Sequence, residues 1–297
     1  MRILLLGGTG QVGQEFRTLS RSRSFDVVAP SRDGLDLQNP EAIAKAIASE
    51  PWDAVVNAAA YTEVDRAETE QRIAFAINAD APAQLALETA RHAIPLVHIS
   101  TDYVFDGRKG APYVEQDPTG PLNTYGRSKL AGERGVCTGN PRHVIVRTSW
   151  VYSPYRSNFV KTIVRLAAQR EHLKVVADQR GCPTAAADVA LACLEIAAYC
   201  AAEPADAPYG TYHLTGAGEA TWFEFASAIV AMTATRRGRS PDLVPISTSE
   251  YPTPAARAAD TRLDCTAITR KFAITQRPWQ QSLAQTIERL WSNEGAP

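Results

Sequence analysis

The chain has 297 residues, 45% of them hydrophobic, and 31 Lys and Arg stand against 32 Asp and Glu for a formal charge of -1. This length and apolar content suit one large α/β domain with a smaller lobe, and the balanced charge carries no electrostatic footprint for nucleic acid. No apolar run approaches the ~18 residues of a membrane span; the longest candidate, 185–202, is interrupted by Asp188 and Glu195, and the N-terminus lacks a signal-peptide pattern.

The chain opens with a short apolar run, Ile3–Leu6, which predicts a strand buried on both faces, as in a parallel sheet. GGTGQVG follows at 7–13. Gly7 allows a tight turn, Gly10 lets backbone approach a pyrophosphate, and Gly13 lets the next helix, from Gln11 through Val12 to about Ser20, pack on the strand. That helix N-terminus offers free N–H groups to phosphate. The alternative for an isolated glycine pattern is an ordinary turn. The second strand, Asp26–Ala29, ends in Pro30-Ser31-Arg32 with no acid at its tip. An acid there holds the ribose hydroxyls of NAD; Ser31 and Arg32 instead suit a 2′-phosphate, so the reading leans to NADPH without excluding NADH. A solvated loop arginine is the alternative. Asp36-Leu37 stands where an acid approaches the adenine amino group or simply makes a turn. Asn39-Pro40 starts a helix running to about Glu50.

The third strand, Ala54–Asn57, runs into Ala58-Ala59-Ala60-Tyr61-Thr62. Small residues at the C-terminal edge of such a sheet leave room for a flat or sugar-sized group, or pack a helix tightly. Glu63, Asp65, Glu68 and Glu70 then read as an exposed acidic helix face. The helix 72–80 continues through 84–92, with Pro82 at a start or kink. Asn78 within it either positions the catalytic helix through a water or faces solvent or backbone. The fourth strand, Leu96–Ser100, ends in Thr101-Asp102-Tyr103, and the helix 125–136 carries Tyr125 and Lys129. Residues four apart share a helix face. An ammonium under a phenol lowers its pKa from about 10, so the pair can pass a proton near neutral pH, while the upstream Thr101 hydroxyl holds a carbonyl or hydroxyl beside it.

Val144–Thr148 is the fifth strand. This βαβ alternation predicts a Rossmann-type, doubly wound parallel sheet over 1–150. Lys174–Ala177, the helix 186–199 and the strand 210–214 are expected to rejoin it. The remainder of 151–297 reads mainly as a substrate-binding lobe, with helices 222–232 and 281–291 and a Pro-rich segment between Pro241 and Pro254. The basic cluster Arg236-Arg237-Gly238-Arg239 reads as a solvated loop. Cys137, Cys182, Cys193, Cys200 and Cys265 are odd in number and show no CxxC or Cys/His spacing. They read as free thiols of a reducing cytoplasm, with no metal ligand among them.

Longer motifs sharpen this reading. VNAAAYTEVDRAE at 56–68, STDYVFDG at 100–107, PLNTYGRSKLAGE at 121–133, RTSWVY at 147–152, DQRGCPT at 178–184, YHLTG at 212–216 and YPTPAARAADTRLD at 251–264 accompany the glycine turn. With them the chain resembles, over nearly its whole length, the extended short-chain dehydrogenase/reductase family and, within it, the dTDP-4-dehydrorhamnose reductases. The resemblance implies reduction of the C4 ketone of dTDP-6-deoxy-L-lyxo-4-hexulose by NADPH or NADH to give dTDP-L-rhamnose. It implies that Tyr125 donates the proton, that Lys129 binds the nicotinamide ribose and keeps the phenol acidic, and that Thr101 holds the reacting oxygen. Asp102 and Trp150 are implied as sugar contacts, although a strand-end Trp is also a common core filler. Asn158 and Phe159 are implied to line the nucleotide pocket. Arg257 and Arg262 suit the diphosphate, or a surface salt bridge. Related nucleotide-sugar dehydratases follow the Thr with two acids; here Tyr103 takes the second place, which favours reduction over elimination. Epimerases of this kind resemble tight NAD binders with an acid ending the second strand, which is missing here.

Some members bind magnesium at a homodimer contact through an acid just after GxPT. Here that acid is displaced to Asp188, so no metal ligand is assigned and Mg2+ is implied by the resemblance alone. Two rival readings share the fold: a reductase of another nucleotide-ketosugar, and a non-catalytic regulatory subunit like that of methionine adenosyltransferase.

Overall fold

The computed structural model describes residues 1–23, 25–237 and 240–293. Its central sheet has six strands: β1 (Arg2–Leu6), β2 (Asp26–Val28), β3 (Ala54–Asn57), β4 (Leu96–Thr101), β5 (His143–Thr148) and β6 (Gly210–His213). They lie in the order β6-β5-β4-β3-β1-β2, and every pairing is parallel. Alternate residues serve opposite faces. Ile3, Leu5, Val56, Val97, Val144 and Val146 pack with residues of the helices Gln11–Ser22 and Ala186–Ala202. Leu4, Leu6, Val55 and Ile145 pack with residues of the helices Pro40–Ala48 and Ala81–Arg91. The doubly wound sheet expected from the apolar runs is therefore present. The order reverses at β1, with β2 on one side and β3 on the other. Ligands of such sheets bind beyond the strand C-termini at this switch, and Gly7, Ala58 and Asp102 all follow strand ends there.

One expected element differs. The strand His172–Val176 does not rejoin the sheet; it pairs in parallel with Asp242–Ile246 in a separate two-stranded sheet. Its side chains alternate between exposed and buried, with His172 and Lys174 exposed. A strand in the middle of a helix-covered sheet would be buried on both faces. The expected strand near 210–214 does rejoin, beside β5. A second core is built wholly from residues between Tyr152 and Leu290, including Val160, Ile163, Phe225, Ile229, Leu283 and Ile287. The side chains of the basic cluster 236–239 lie outside the described residues.

The helical run from Gln71 to Arg91 contains a π turn at Ala76–Asp80. Pro82 has no N–H to offer the carbonyl of Asn78 four residues earlier, so the ladder must shift there. Such turns recur at functional sites, and this one faces the helix Thr124–Gly139: a Cβ on Gly132 would lie 2.0 Å from the Asn78 carbonyl oxygen.

Candidate active site

The first part of the site is a cleft of about 500 Å3 at the switch point. β1 leads into Gly7, whose φ is +78°, and the Gly10 N–H closes a turn on Gly7 O at 2.9 Å. A Cβ on Gly13 would stand 2.1 Å from that same oxygen, so only glycine lets the helix start so near the strand. The N–H groups of Gln11, Val12 and Gly13 open this helix without intrahelical acceptors. A tight cradle of this kind, beside a cleft of this size, fits a dinucleotide pyrophosphate.

Of the expected cofactor residues, Gly7, Gly10, Ser31, Arg32, Asp36, Leu37, Ala59, Ala60 and Tyr61 line the cleft. Arg32 is exposed. Asp36 makes the expected turn, accepting from Gln38 N at 3.0 Å. Thr62 is exposed and outside the cleft lining. The Val12 side chain packs into the core, and the Gln11 side chain turns to Ser153 and Asn158. Arg66 and Glu70 are among the lining residues that were not expected. Glu70 accepts from the Tyr61 hydroxyl at 2.5 Å and from Arg66 at 2.5 Å. Their i,i+4 spacing was the available signal.

The second part is the candidate proton-transfer group. Thr101 is the last residue of β4, and its hydroxyl donates to Asp102 Oδ1 at 3.1 Å, close to the Tyr125 phenol. Tyr125 opens the helix Thr124–Gly139, which Asn123 caps by accepting from Gly126 N at 2.8 Å. The phenol is buried in a cluster with Tyr61 of the cofactor cleft and with Tyr103, which meets it edge-on at 5.4 Å. Burial pushes the Tyr125 pKa up, and the neighbouring Thr101 hydroxyl opposes that only in part. Lys129 is 1% exposed. Its Nζ donates to Ile99 O at 2.7 Å and lies 3.4 Å from His98 Nε2, and burial brings its pKa down to about 8. The expected ammonium beneath an acidified phenol is therefore not the arrangement of the free protein: the lysine faces the strand backbone. Asn78 is fully buried and bonds directly, without a water, to Ser128 Oγ at 3.0 Å and to Tyr61 N at 2.8 Å. It ties the catalytic helix to the floor of the cofactor cleft.

The third part is a pocket lined by Asp102, Tyr103, Asn123, Trp150, Trp222, Arg257 and Thr261, among others. Trp150 and Trp222 stack at 3.6 Å and 8°, leaving only about 20 Å3 of free space. Trp150 has a φ of +47°, a strained backbone for a side chain of that size, and Gly181 beneath it makes room, since a Cβ there would lie 2.5 Å from the indole. Arg257 lines the pocket but is held bidentately by Asp65 at 2.8 and 3.1 Å. Arg262 takes its salt-bridge alternative, with Asp260 and Glu219. Asn158 and Phe159 line neither cavity. Asn158 caps the helix Phe159–Gln169 and donates to Gln11; Phe159 packs on Trp222 and Phe225. The acidic stretch is also more than a solvated face: Asp65 binds Arg257, Glu68 accepts from Thr124 N at 2.7 Å, and Glu70 binds Tyr61.

A glycine cradle, a Thr/Tyr/Lys group and a second pocket thus meet at the strand ends. The model of the RmlD substrate binding domain matches residues 1–292. The chain belongs to this family. It is 42% identical to a dTDP-4-dehydrorhamnose reductase of Sinorhizobium fredii, covering 98% of both chains. A solved dTDP-4-dehydrorhamnose reductase of Clostridium acetobutylicum superposes with a TM-score of 0.91 at 35% identity, over 98% of this chain and 100% of the other. That of Bacillus anthracis, solved in complex with NADP, gives 0.89 at 33%, over 97% and 99%.

A magnesium ion does not fit the residues around Asp188. Its Oδ2 accepts from Ser282 Oγ at 2.6 Å and Oδ1 stands 3.8 Å from Arg277, so a cation already faces it. No group of three or more His, Cys, Asp or Glu gathers as a metal site among the described residues. The five cysteines are unpaired, four of them buried, and no described helix is long and apolar enough to cross a membrane.

Proposed function

We propose that this protein reduces the C4 ketone of dTDP-6-deoxy-L-lyxo-4-hexulose with NAD(P)H to give dTDP-L-rhamnose. The observation that carries the reading is the placing of Tyr125: it is buried close to the Thr101 hydroxyl, in one cluster with Tyr61 of the cofactor cleft and Tyr103 of the sugar pocket. The nicotinamide, when bound, supplies the hydride. The chain's own groups do the rest. The turn 7–13 holds the pyrophosphate, and Ser31 and Arg32, with no acid at the β2 tip, favour NADPH. Lys129 takes the ribose hydroxyls. Thr101 holds the ketone oxygen while Tyr125 gives it a proton. Asp102, Trp150 and Arg257 receive the sugar nucleotide once the Trp150–Trp222 stack parts. Tyr103 replaces the second acid that elimination needs, which supports simple reduction.

The test is oxidation of NADPH and NADH, in parallel, by the purified protein with this ketosugar. Turnover is expected with both and faster with NADPH; no turnover removes the assignment. Tyr125→Phe should lower kcat about 10²- to 10⁴-fold, the scale of a lost general acid. A full rate in that variant would require another proton donor. A cytoplasmic location and a homodimer complete the reading, resting on the free thiols and the family resemblance.

A further inference from the structure

The segment 153–158, which leads from Tyr152 into the helix Phe159–Gln169, is stitched to the glycine turn. Ser153 Oγ donates to Gln11 Oε1 at 3.0 Å, and Asn158 Nδ2 donates to the same oxygen at 2.9 Å. Arg156 reaches further back along the turn: its Nε donates to Thr9 O at 2.9 Å. Thr9 and Gly10 line the cofactor cleft, and the N–H groups that follow are the open ones of the helix N-terminus. Consecutive Cα atoms are about 3.8 Å apart, so a guanidinium fixed at Thr9 stands beside those N–H groups.

Contact with Thr9 leaves two features of Arg156 without a cause. Its φ is +56°, in the left-handed region that a residue other than glycine seldom takes and that recurs at functional sites. The side chain is exposed, so packing does not call for an arginine there. Nor does the shape of the segment, which other bonds hold: Ser153 Oγ accepts from Tyr155 N at 3.1 Å, Asn158 Nδ2 donates to Ser153 O at 2.8 Å, and Arg289 lies over the Tyr155 ring at 5.7 Å. The second feature is the far end of the side chain. Nη1 and Nη2 have no hydrogen-bond or carboxylate partner among the described residues. The remaining N–H donors of a permanently charged group are thus free beside an anion cradle.

We propose that Arg156 is a ligand of the cofactor pyrophosphate, supplied by the C-terminal half of the chain to a site otherwise built from residues 7–13; this rests on the NAD(P)H reading above. The turn itself offers neutral N–H groups and a helix dipole, which balance a diphosphate's charge only in part. A guanidinium adds a full positive charge and a planar fork that matches phosphate oxygens. Its Nε bond to Thr9 O orients the fork before the ligand arrives, so little side-chain freedom is lost on binding. Pyrophosphate is common to NADPH and NADH. Arg156 therefore strengthens both and does not choose between them, a choice that stays with Ser31 and Arg32.

The test is calorimetric binding of NADPH, NADH and adenosine 2′-monophosphate, which lacks the pyrophosphate, to the native protein and to Arg156→Gly. Glycine removes the guanidinium and suits the left-handed backbone, so the variant should melt within about 4 °C of the native protein. Its Kd for NADPH and for NADH should each rise about 10- to 100-fold, the scale of a charge-assisted hydrogen bond. Its Kd for adenosine 2′-monophosphate should change by less than about 2-fold, because that ligand has nothing for Arg156 to hold. Arg156→Lys, which keeps the charge without the fork, should bind the dinucleotides with intermediate affinity. Unchanged dinucleotide affinity in Arg156→Gly overturns the proposal. An equal loss for adenosine 2′-monophosphate overturns it too, since Arg156 would then only brace the turn. A native protein that binds neither dinucleotide would instead remove the NAD(P)H reading, and the assignment of Arg156 with it.

Discussion

Lys129 carries an ammonium into a site that is 1% exposed, with one carbonyl and a neutral histidine for company. Burial lowers its pKa from 10.5 to about 8, with Glu133 opposing from one helical turn away. The folded protein therefore releases this proton at lower pH than the unfolded chain does. The penalty of the buried charge is fully present below pH 8 and disappears as pH climbs towards 10.5. The shift corresponds to about 3 kcal/mol. Lys129→Met would remove it but leave the Ile99 carbonyl unsatisfied, at a cost of about 1–2 kcal/mol. The variant should thus be more stable than the native protein by about 1–2 kcal/mol at pH 7, with the gain shrinking above pH 8, and it should be inactive as a reductase. Thermal melts at pH 7 and 9.5 check this; a variant less stable at pH 7 would show that the charge is well compensated. The lysine's position was legible from YxxxK, whereas its direction was not. The carbonyl that captures it belongs to β4, and periodicity in the helix says nothing of a strand 30 residues earlier. Asp65 and Glu68 were misread for the same reason: their partners, Arg257 and Thr124, are distant in sequence.

The helix Thr124–Gly139 contains glycines at 126, 132, 135 and 139, each of which lowers helix propensity by about 1 kcal/mol relative to Ala. Contact explains their presence. A Cβ at Gly126 would lie 2.3 Å from Tyr103 O, one at Gly132 2.0 Å from Asn78 O, and one at Gly135 2.6 Å from Ala83 Cβ. The helix lies against the π turn with backbone almost touching backbone, and this closeness lets Asn78 reach Ser128. Gly132→Ala would push the helix off that turn. It should destabilise by about 1–3 kcal/mol, the usual range for overpacking, despite the gain in propensity. It should also lower kcat, because Tyr125 and Lys129 ride on the displaced helix. Denaturant unfolding and turnover of the same preparation test it; a stabilised, fully active variant would mean that the two helices can separate freely. The sequence showed both helices, but not their close approach, because a π turn leaves no periodic signature and Asn78 reads like any polar helical residue.

Across the whole molecule, the parallel sheet was readable because runs such as Ile3–Leu6 and Ala54–Asn57 are buried on both faces, a pattern that surface strands do not share. The C-terminal half of the chain was harder to read. Its sheet joins His172–Val176 to Asp242–Ile246 across a long stretch of chain, and Pro245 inside the second strand argues locally against a strand at all. The two parts of the chain are held together by contacts of similarly long range. The final helix, Trp279–Asn293, sends Arg289 back to the helix Gln11–Ser22, where its Nη1 donates to both carboxylate oxygens of Glu15 at 2.8 and 2.9 Å. Glu15 is 3% exposed in its side chain and Arg289 37%. Burial raises the Glu15 pKa from 4.5, Arg289 pulls it back in part, and the nearby Asp188 adds to the rise. Because the folded carboxyl binds its proton more tightly than the unfolded one, its burden on stability is full above the folded pKa and fades as pH falls through it. Arg289→Ala removes the opposing charge, so that pKa rises further and the burden at neutral pH grows. The expected loss at pH 7.5 is about 1–3 kcal/mol, below the range for a fully buried pair because the arginine is partly solvated. It should be smaller at pH 5, which is nearer the range in which the raised carboxyl takes up its proton. Urea unfolding of both proteins at the two pH values decides the point: an equal loss at each would show that Arg289 acts through packing on Tyr155 rather than through charge.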